Sequence, residues 1–91
     1  MTPATLPHVR QDVLDYLVRM RFNDYEGELD FETHLLEVGI LDSLSMMTVV
    51  LFLEQKYGLD FFTIDITRDD FYSIDVLARM LVRSINGTET P

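Results

Sequence analysis

Between Asp42 and Gly58 the chain reads SLSMMTVVLFLEQKY, a run broken by charge only at Glu54 and Lys56. Met46, Val49, Val50, Leu53 and Tyr57 recur at three- and four-residue steps, which predicts a helix from Ser43 to Tyr57 with that stripe toward a core. Asp42 precedes it as a capping residue, and Gly58 stops it. A second apolar row, Leu44, Met47 and Leu51, lies on another face beside Thr48 and Gln55. A helix apolar nearly all round is either buried on every side or keeps one face for a partner. The chain has 91 residues, enough for one core and a burial of roughly 60–65% of the unfolded surface. So short a chain cannot easily wrap a helix completely, and the second row is expected to stay outside.

Two further helical patterns flank this one. Leu6, Val9, Val13, Leu17 and Met20 form one stripe, which predicts a helix over about 6–22, with Thr5 as its cap and Pro7 tolerated in its first turn. Ile74, Leu77, Ala78, Leu81 and Ile85 form another, preceded by Ser73 as N-cap, with Asp75 in the first turn and Asn86-Gly87 as the stop. Residues 23–42 carry seven acids and no Lys or Arg. A connection that long must be pinned, and Phe31, Leu35, Leu36 and Ile40 are the expected pins, with room for a short helical turn. Residues 59–72 read as strand or short helix, and a short helix near 66–71 is expected. The fold expected is all-α: a small bundle of three main helices plus a short one, with a long first loop. It is expected to form a single domain over 1–91, ordered from about 6 to 85 with flexible ends.

The net charge of −9 comes from 16 acidic and 7 basic residues. Phosphate binding needs clustered Lys and Arg, so nucleic acid and anionic membrane surfaces are poor partners. No apolar run reaches the roughly 18–20 residues a membrane span needs. Absence of cysteine excludes disulfides, thiolate metal sites and cysteine nucleophiles. A cytoplasmic protein is expected. The acids at 24, 26, 28 and 30 imitate a calcium loop, but Leu29 stands where Gly should be and Leu35 where Glu should be. No metal site is expected. His8 and His34 read as exposed, and neither a nucleophile elbow nor a phosphate-cradling glycine loop is present. The chain is therefore expected not to be an enzyme.

What remains is Glu37-Val38-Gly39-Ile40-Leu41-Asp42-Ser43-Leu44-Ser45, which delivers a serine to the exposed start of the most apolar helix. Gly39 would let the loop approach the helix closely, and Asp42 would cap it. An anion on Ser43 would lie near the positive helix end and its unpaired amides. On these residues alone, Asp42 and Ser43 could equally be capping residues and nothing more.

This stretch resembles the attachment motif of the acyl and peptidyl carrier protein family: an Asp-Ser-Leu triplet with a Gly shortly upstream and a helix after it. The likeness runs from Leu35 through Asp42-Ser43-Leu44 to Met47, Val50, Leu53, Glu54 and Tyr57, and on through Phe71-Tyr72-Ser73-Ile74 to Leu81. It covers about residues 6–85. The resemblance implies that a phosphopantetheinyl transferase, using coenzyme A and Mg²⁺, places a 4′-phosphopantetheine arm on Ser43. The thiol of that arm would hold cargo as a thioester. Asp42, Leu44, Met47, Leu51 and Glu54 would be read by partner enzymes: the transferase, an adenylating or acyl-loading enzyme, and downstream acyl-transfer enzymes. A monomer suits such a carrier.

Two departures refine the resemblance. Ser45, Thr48 and Gln55 replace acids that fatty-acid carriers place along this helix, leaving Glu54, so apolar contact should outweigh charge steering. The connection after Tyr57 is long, and its run from Ile64 or Ile66 through Arg68-Asp69 to an aromatic resembles D-alanyl and other discrete aminoacyl carriers. Phe62 stands about where those carriers have proline. A freestanding acyl or aminoacyl carrier of a specialised pathway is thus expected. Val49, Val50, Leu53, Phe61 and Leu77 would line the core or shelter the cargo, and Phe52 and Phe61 would limit its length. The alternatives are a fatty-acid or polyketide carrier, a helical adaptor without a prosthetic group that grips a partner helix, and a small acidic metal-binding protein.

Overall fold

The computed structural model describes residues 5–60 and 67–86, and these are helical or loop with no strand among them. Three helices form: α1 over Leu6–Met20, α2 over Ser43–Tyr57 and α3 over Ile74–Asn86. Short 3₁₀ turns occupy Phe22–Asp24 and Arg68–Phe71. The molecule is a small all-helical bundle.

Each helix begins and ends for local reasons. Pro7 sits in the first turn of α1, where its missing N–H costs nothing. Thr5 holds the N-cap position with extended backbone, but its hydroxyl makes no capping bond. α1 stops at Met20, two residues short of the expected end, because Arg21 turns left-handed (φ 49°) and returns its N–H to the Leu17 carbonyl. Met20, read as part of the core stripe, is consequently 45% exposed. Gly58 closes α2 at φ 68°, a conformation that favours glycine. Ser73 caps α3 by accepting the Val76 N–H at 3.2 Å.

The buried residues form one cluster. α1 contributes Val9, Val13, Tyr16 and Leu17; α2 contributes Val49 and Leu53; α3 contributes Ile74, Leu77, Ala78, Met80 and Leu81. Among the described residues, α1 and α3 are the helices packed most extensively against each other. Arg10 ties that pair, donating to Asp75 at 3.1 Å while its guanidinium lies 4.9 Å over the Phe31 ring. α2 is joined to α1 by larger side chains. Phe52, outside the expected core stripe, stacks on Tyr16 with centroids 3.6 Å apart, and Tyr57 donates to Asp12 at 2.8 Å.

The long first connection is pinned as its apolar residues require. Leu35 and Ile40 are buried, Phe31 and Leu36 half-buried, and Leu41 joins them as a pin that the pattern did not reveal. Backbone bonds secure it to the start of α3: Leu35 N–H to the Tyr72 carbonyl at 3.0 Å, and Asp75 N–H to the Phe31 carbonyl at 2.9 Å. The short helix expected near 66–71 is the 3₁₀ turn Arg68–Phe71, with Phe71 buried. Phe61, Phe62, Ile64 and Ile66, with the outermost end residues 1–4 and 87–91, lie outside the described residues.

Candidate functional site

The loop and α2 meet at Asp42, whose backbone is still extended (φ −135°, ψ −172°). Its Oδ1 accepts the Ser45 N–H at 2.9 Å, and the Ser45 hydroxyl returns the favour by accepting the Asp42 N–H at 2.8 Å. The Ser45 hydroxyl also donates to Oδ1 at 2.9 Å. This is a reciprocal capping box. The Ser45 backbone N–H and then its hydroxyl hold the Asp42 carboxyl below its ordinary pKa against desolvation, with lesser help from the Asn23 amide and the Leu44 N–H.

Ser43 is the first residue of α2 and is exposed. The capping bonds belong to Asp42 and Ser45, so the Ser43 hydroxyl has no part in the cap. Reading Ser43 as a capping residue therefore fails. Of the amides at the helix start, that of Ser45 is taken by the Asp42 carboxylate, which also lies by that of Leu44. Ser43 is thus open to solvent at the head of α2.

Leu44, Met47 and Leu51 are 79%, 59% and 55% exposed. Their three- and four-residue spacing puts them on one stripe, with Ser43 one turn before Met47. Glu54 continues the stripe, half-buried, and its carbonyl accepts from Gly58 and Leu59 at the end of the helix. The opposite side of α2 carries buried Ser45, Val49 and Leu53. The fold thus brings Asp42, Ser43, Leu44, Met47, Leu51 and Glu54 onto one helix.

Gly39 has a different role from the one expected. A Cβ built there meets nothing within 4 Å, so no close approach requires glycine; its φ of +90° does. Asn23 was not singled out by the sequence, yet its Nδ2 donates to the Gly39 and Ile40 carbonyls at 3.1 Å each. The only sequence hint was its place just past the end of a helix, where Asn tolerates left-handed backbone. His34 is half-buried, against the exposed position expected. Its ring lies 4.1 Å from that of Tyr72, and its Nδ1 accepts the Glu37 N–H at 3.2 Å.

Among the described residues, no group of three or more His, Asp and Glu is gathered to hold a metal ion. Within the calcium-like run, Asp30 acts locally, accepting from the Glu32 N–H at 2.8 Å and from the Thr33 hydroxyl at 3.0 Å. A cavity of about 100 Å³ lies under the end of α1, between Leu17, Phe22, Tyr25, Leu29 and Ile40. A groove of about 240 Å³ runs between His34, Glu37, Arg68 and Tyr72. Both are smaller than the roughly 300–1,000 Å³ of typical small-molecule sites.

Fold and site together define a small helical protein with an exposed serine at the head of an exposed apolar stripe. No protein-family model matches the chain, and neither a curated protein nor a solved structure matches it. Among the described residues no helix is long and apolar enough to cross a membrane.

Proposed function

We propose that this chain is a freestanding acyl or aminoacyl carrier, holding its cargo as a thioester on a 4′-phosphopantetheine arm attached to Ser43. The observation that carries the reading is the division of labour at the head of α2. Asp42 and Ser45 satisfy the helix end, leaving an exposed hydroxyl with no local duty. In the modification the Ser43 oxygen takes the phosphopantetheinyl group from coenzyme A, whose nucleotide half leaves as adenosine 3′,5′-bisphosphate. The transferase supplies the Mg²⁺ and the base. The arm, once bound, supplies the thiol that this cysteine-free chain lacks.

The chain's own residues would position the serine and present a surface. Ionised Asp42 keeps the first turn wound, and Leu44, Met47 and Leu51 give partner enzymes an apolar stripe beside the attachment point. With Glu54 the remaining acid on α2, recognition rests more on apolar contact than on charge. A specialised pathway with a stand-alone adenylating or acyl-loading enzyme is favoured over fatty-acid synthesis. A monomer in the cytoplasm fits visits to several enzymes.

The test is intact mass before and after incubation with coenzyme A, Mg²⁺ and a broad-specificity phosphopantetheinyl transferase. A gain of one phosphopantetheinyl group, absent in Ser43→Ala, is expected. Folded protein that gains nothing with several transferases would instead point to an adaptor using the same stripe without a prosthetic group.

A further inference from the structure

We infer that Asn23 is a positioning residue for Ser43: its side-chain amide straps the turn after α1 to the backbone that leads into the serine. The inference rests on the carrier reading, in which Ser43 is the group presented for reaction. Asn23 itself touches no reacting atom.

The strap spans a long separation in sequence. The Asn23 amide donates at 3.1 Å to the carbonyls of Gly39 and of Ile40, sixteen and seventeen residues away. The same amide lies by the Asp42 carboxylate. Its own backbone is left-handed (φ 57°, ψ 24°), and Arg21 and Asp24 beside it are left-handed too, at φ 49° and 56°. Such conformations are costly for residues other than glycine, and least so for Asn and Asp. They persist where surrounding bonds over-determine them. A turn of this kind aims one short amide at two successive carbonyls, which a longer or purely accepting side chain could not bridge in the same way.

Downstream of those carbonyls the path is held at nearly every step. Ile40 and Leu41 are buried, the Leu41 N–H donates to the Leu35 carbonyl at 3.1 Å, and Asp42 and Ser45 cap one another. Ser43 and its neighbour Leu44 project to solvent from this braced segment. Misplacement of a reacting group by about 1 Å can slow a reaction severely, so bracing the approach governs how Ser43 meets an enzyme.

Two substitutions separate the strap from general stability. Asn23→Asp keeps size and tolerance of the left-handed turn but puts an acceptor against two carbonyls and a carboxylate. Asn23→Gly keeps the backbone conformation and removes the amide. Thr33→Val is the control: it breaks bonds with Asp30 in the same loop, away from residues 39–45. Two readouts are compared, the kcat/KM of transferase labelling and amide exchange at Leu41 and Ser45, with Leu77 on α3 as reference. Loss of a hydrogen bond predicts exchange at Leu41 and Ser45 faster by roughly three- to tenfold, and labelling slower by a similar factor. Leu77 exchange and the Thr33→Val rates should stay at wild-type values. Wild-type exchange and labelling in Asn23→Asp and Asn23→Gly would overturn the inference. So would equal acceleration at Leu77 in both variants, which would make Asn23 a general stabiliser. If the wild-type chain is never labelled, the carrier reading fails by itself, and exchange at Leu41 and Ser45 still decides whether the strap exists.

Discussion

Ser43 and Ser45 stand two positions apart on the same turn and have opposite fates. Ser45 is buried and spends its hydroxyl on Asp42, whereas Ser43 is exposed and spends its hydroxyl on nothing in the cap. Ser43→Ala should therefore leave thermal midpoint and helix content unchanged, while Asp42→Ala lowers the midpoint by removing the cap; circular dichroism melts of the two variants check this. Titration follows from the same local bonds. Asp42 is held below its ordinary pKa chiefly by the Ser45 N–H, and Asp75 chiefly by the Arg79 Nε–H at 2.8 Å and then by Arg10. A carboxyl lowered in the folded state stabilises above its unfolded value and loses that contribution as pH falls through the folded one. Tyr57 runs the other way, pushed up by burial and then by its bond to Asp12. Its contribution is intact below the unfolded value and is lost as pH rises. Urea midpoints should thus decline below about pH 4 and again above about pH 10.

At the scale of the element, α2 has two apolar faces with different consequences. Leu53 is fully buried and Leu51, two residues earlier, is 55% exposed. Leu53→Ala should cost about 2–5 kcal/mol in urea unfolding, the range for emptying a buried leucine site. Leu51→Asp should fall within about 0.5 kcal/mol of wild type, as exposed substitutions do, yet abolish loading by a partner enzyme in a thioester assay. Equal destabilisation by both would mean that the outer stripe is core. Periodicity separates the two rows because α2 faces the core with one side only. It could not show where α1 ends, since Met20 satisfies the apolar pattern while the left-handed Arg21 decides the stop.

Across the whole molecule, α2 is held by contacts between residues far apart in sequence. Phe52 against Tyr16 and Tyr57 donating to Asp12 connect it to α1, and Arg10 and Asp75 connect α1 to α3. His8 at 3.4 Å and Lys56 at 3.9 Å from Asp12 add to the cluster at the end of α2. Tyr57→Phe keeps the ring and removes the hydroxyl bond to an ionised partner. It should cost about 1.5–3 kcal/mol, measured by urea unfolding at pH 7. The same substitution should lessen the stability loss at alkaline pH, leaving the part due to Tyr16, whose phenol is also pushed up by burial. A wild-type alkaline limb in Tyr57→Phe would place that titration elsewhere.

The sequence by itself determined the three main helices, the start and end of α2, the Ser73 cap and the outward row Leu44, Met47 and Leu51. Each of these depends on neighbours within one or two turns, and the chain writes such relations as spacing. Only the tertiary structure decided that Asn23 reaches the Gly39 and Ile40 carbonyls, that Phe52 stacks on Tyr16, that Leu41 is a pin and that His34 lies against Tyr72. Those pairings join residues on separate elements, and no local period records which side chain a folded loop will meet. Gly39 shows the boundary most clearly. Its identity marked a special backbone position, but only the fold showed that a left-handed turn, and no crowding neighbour, requires it.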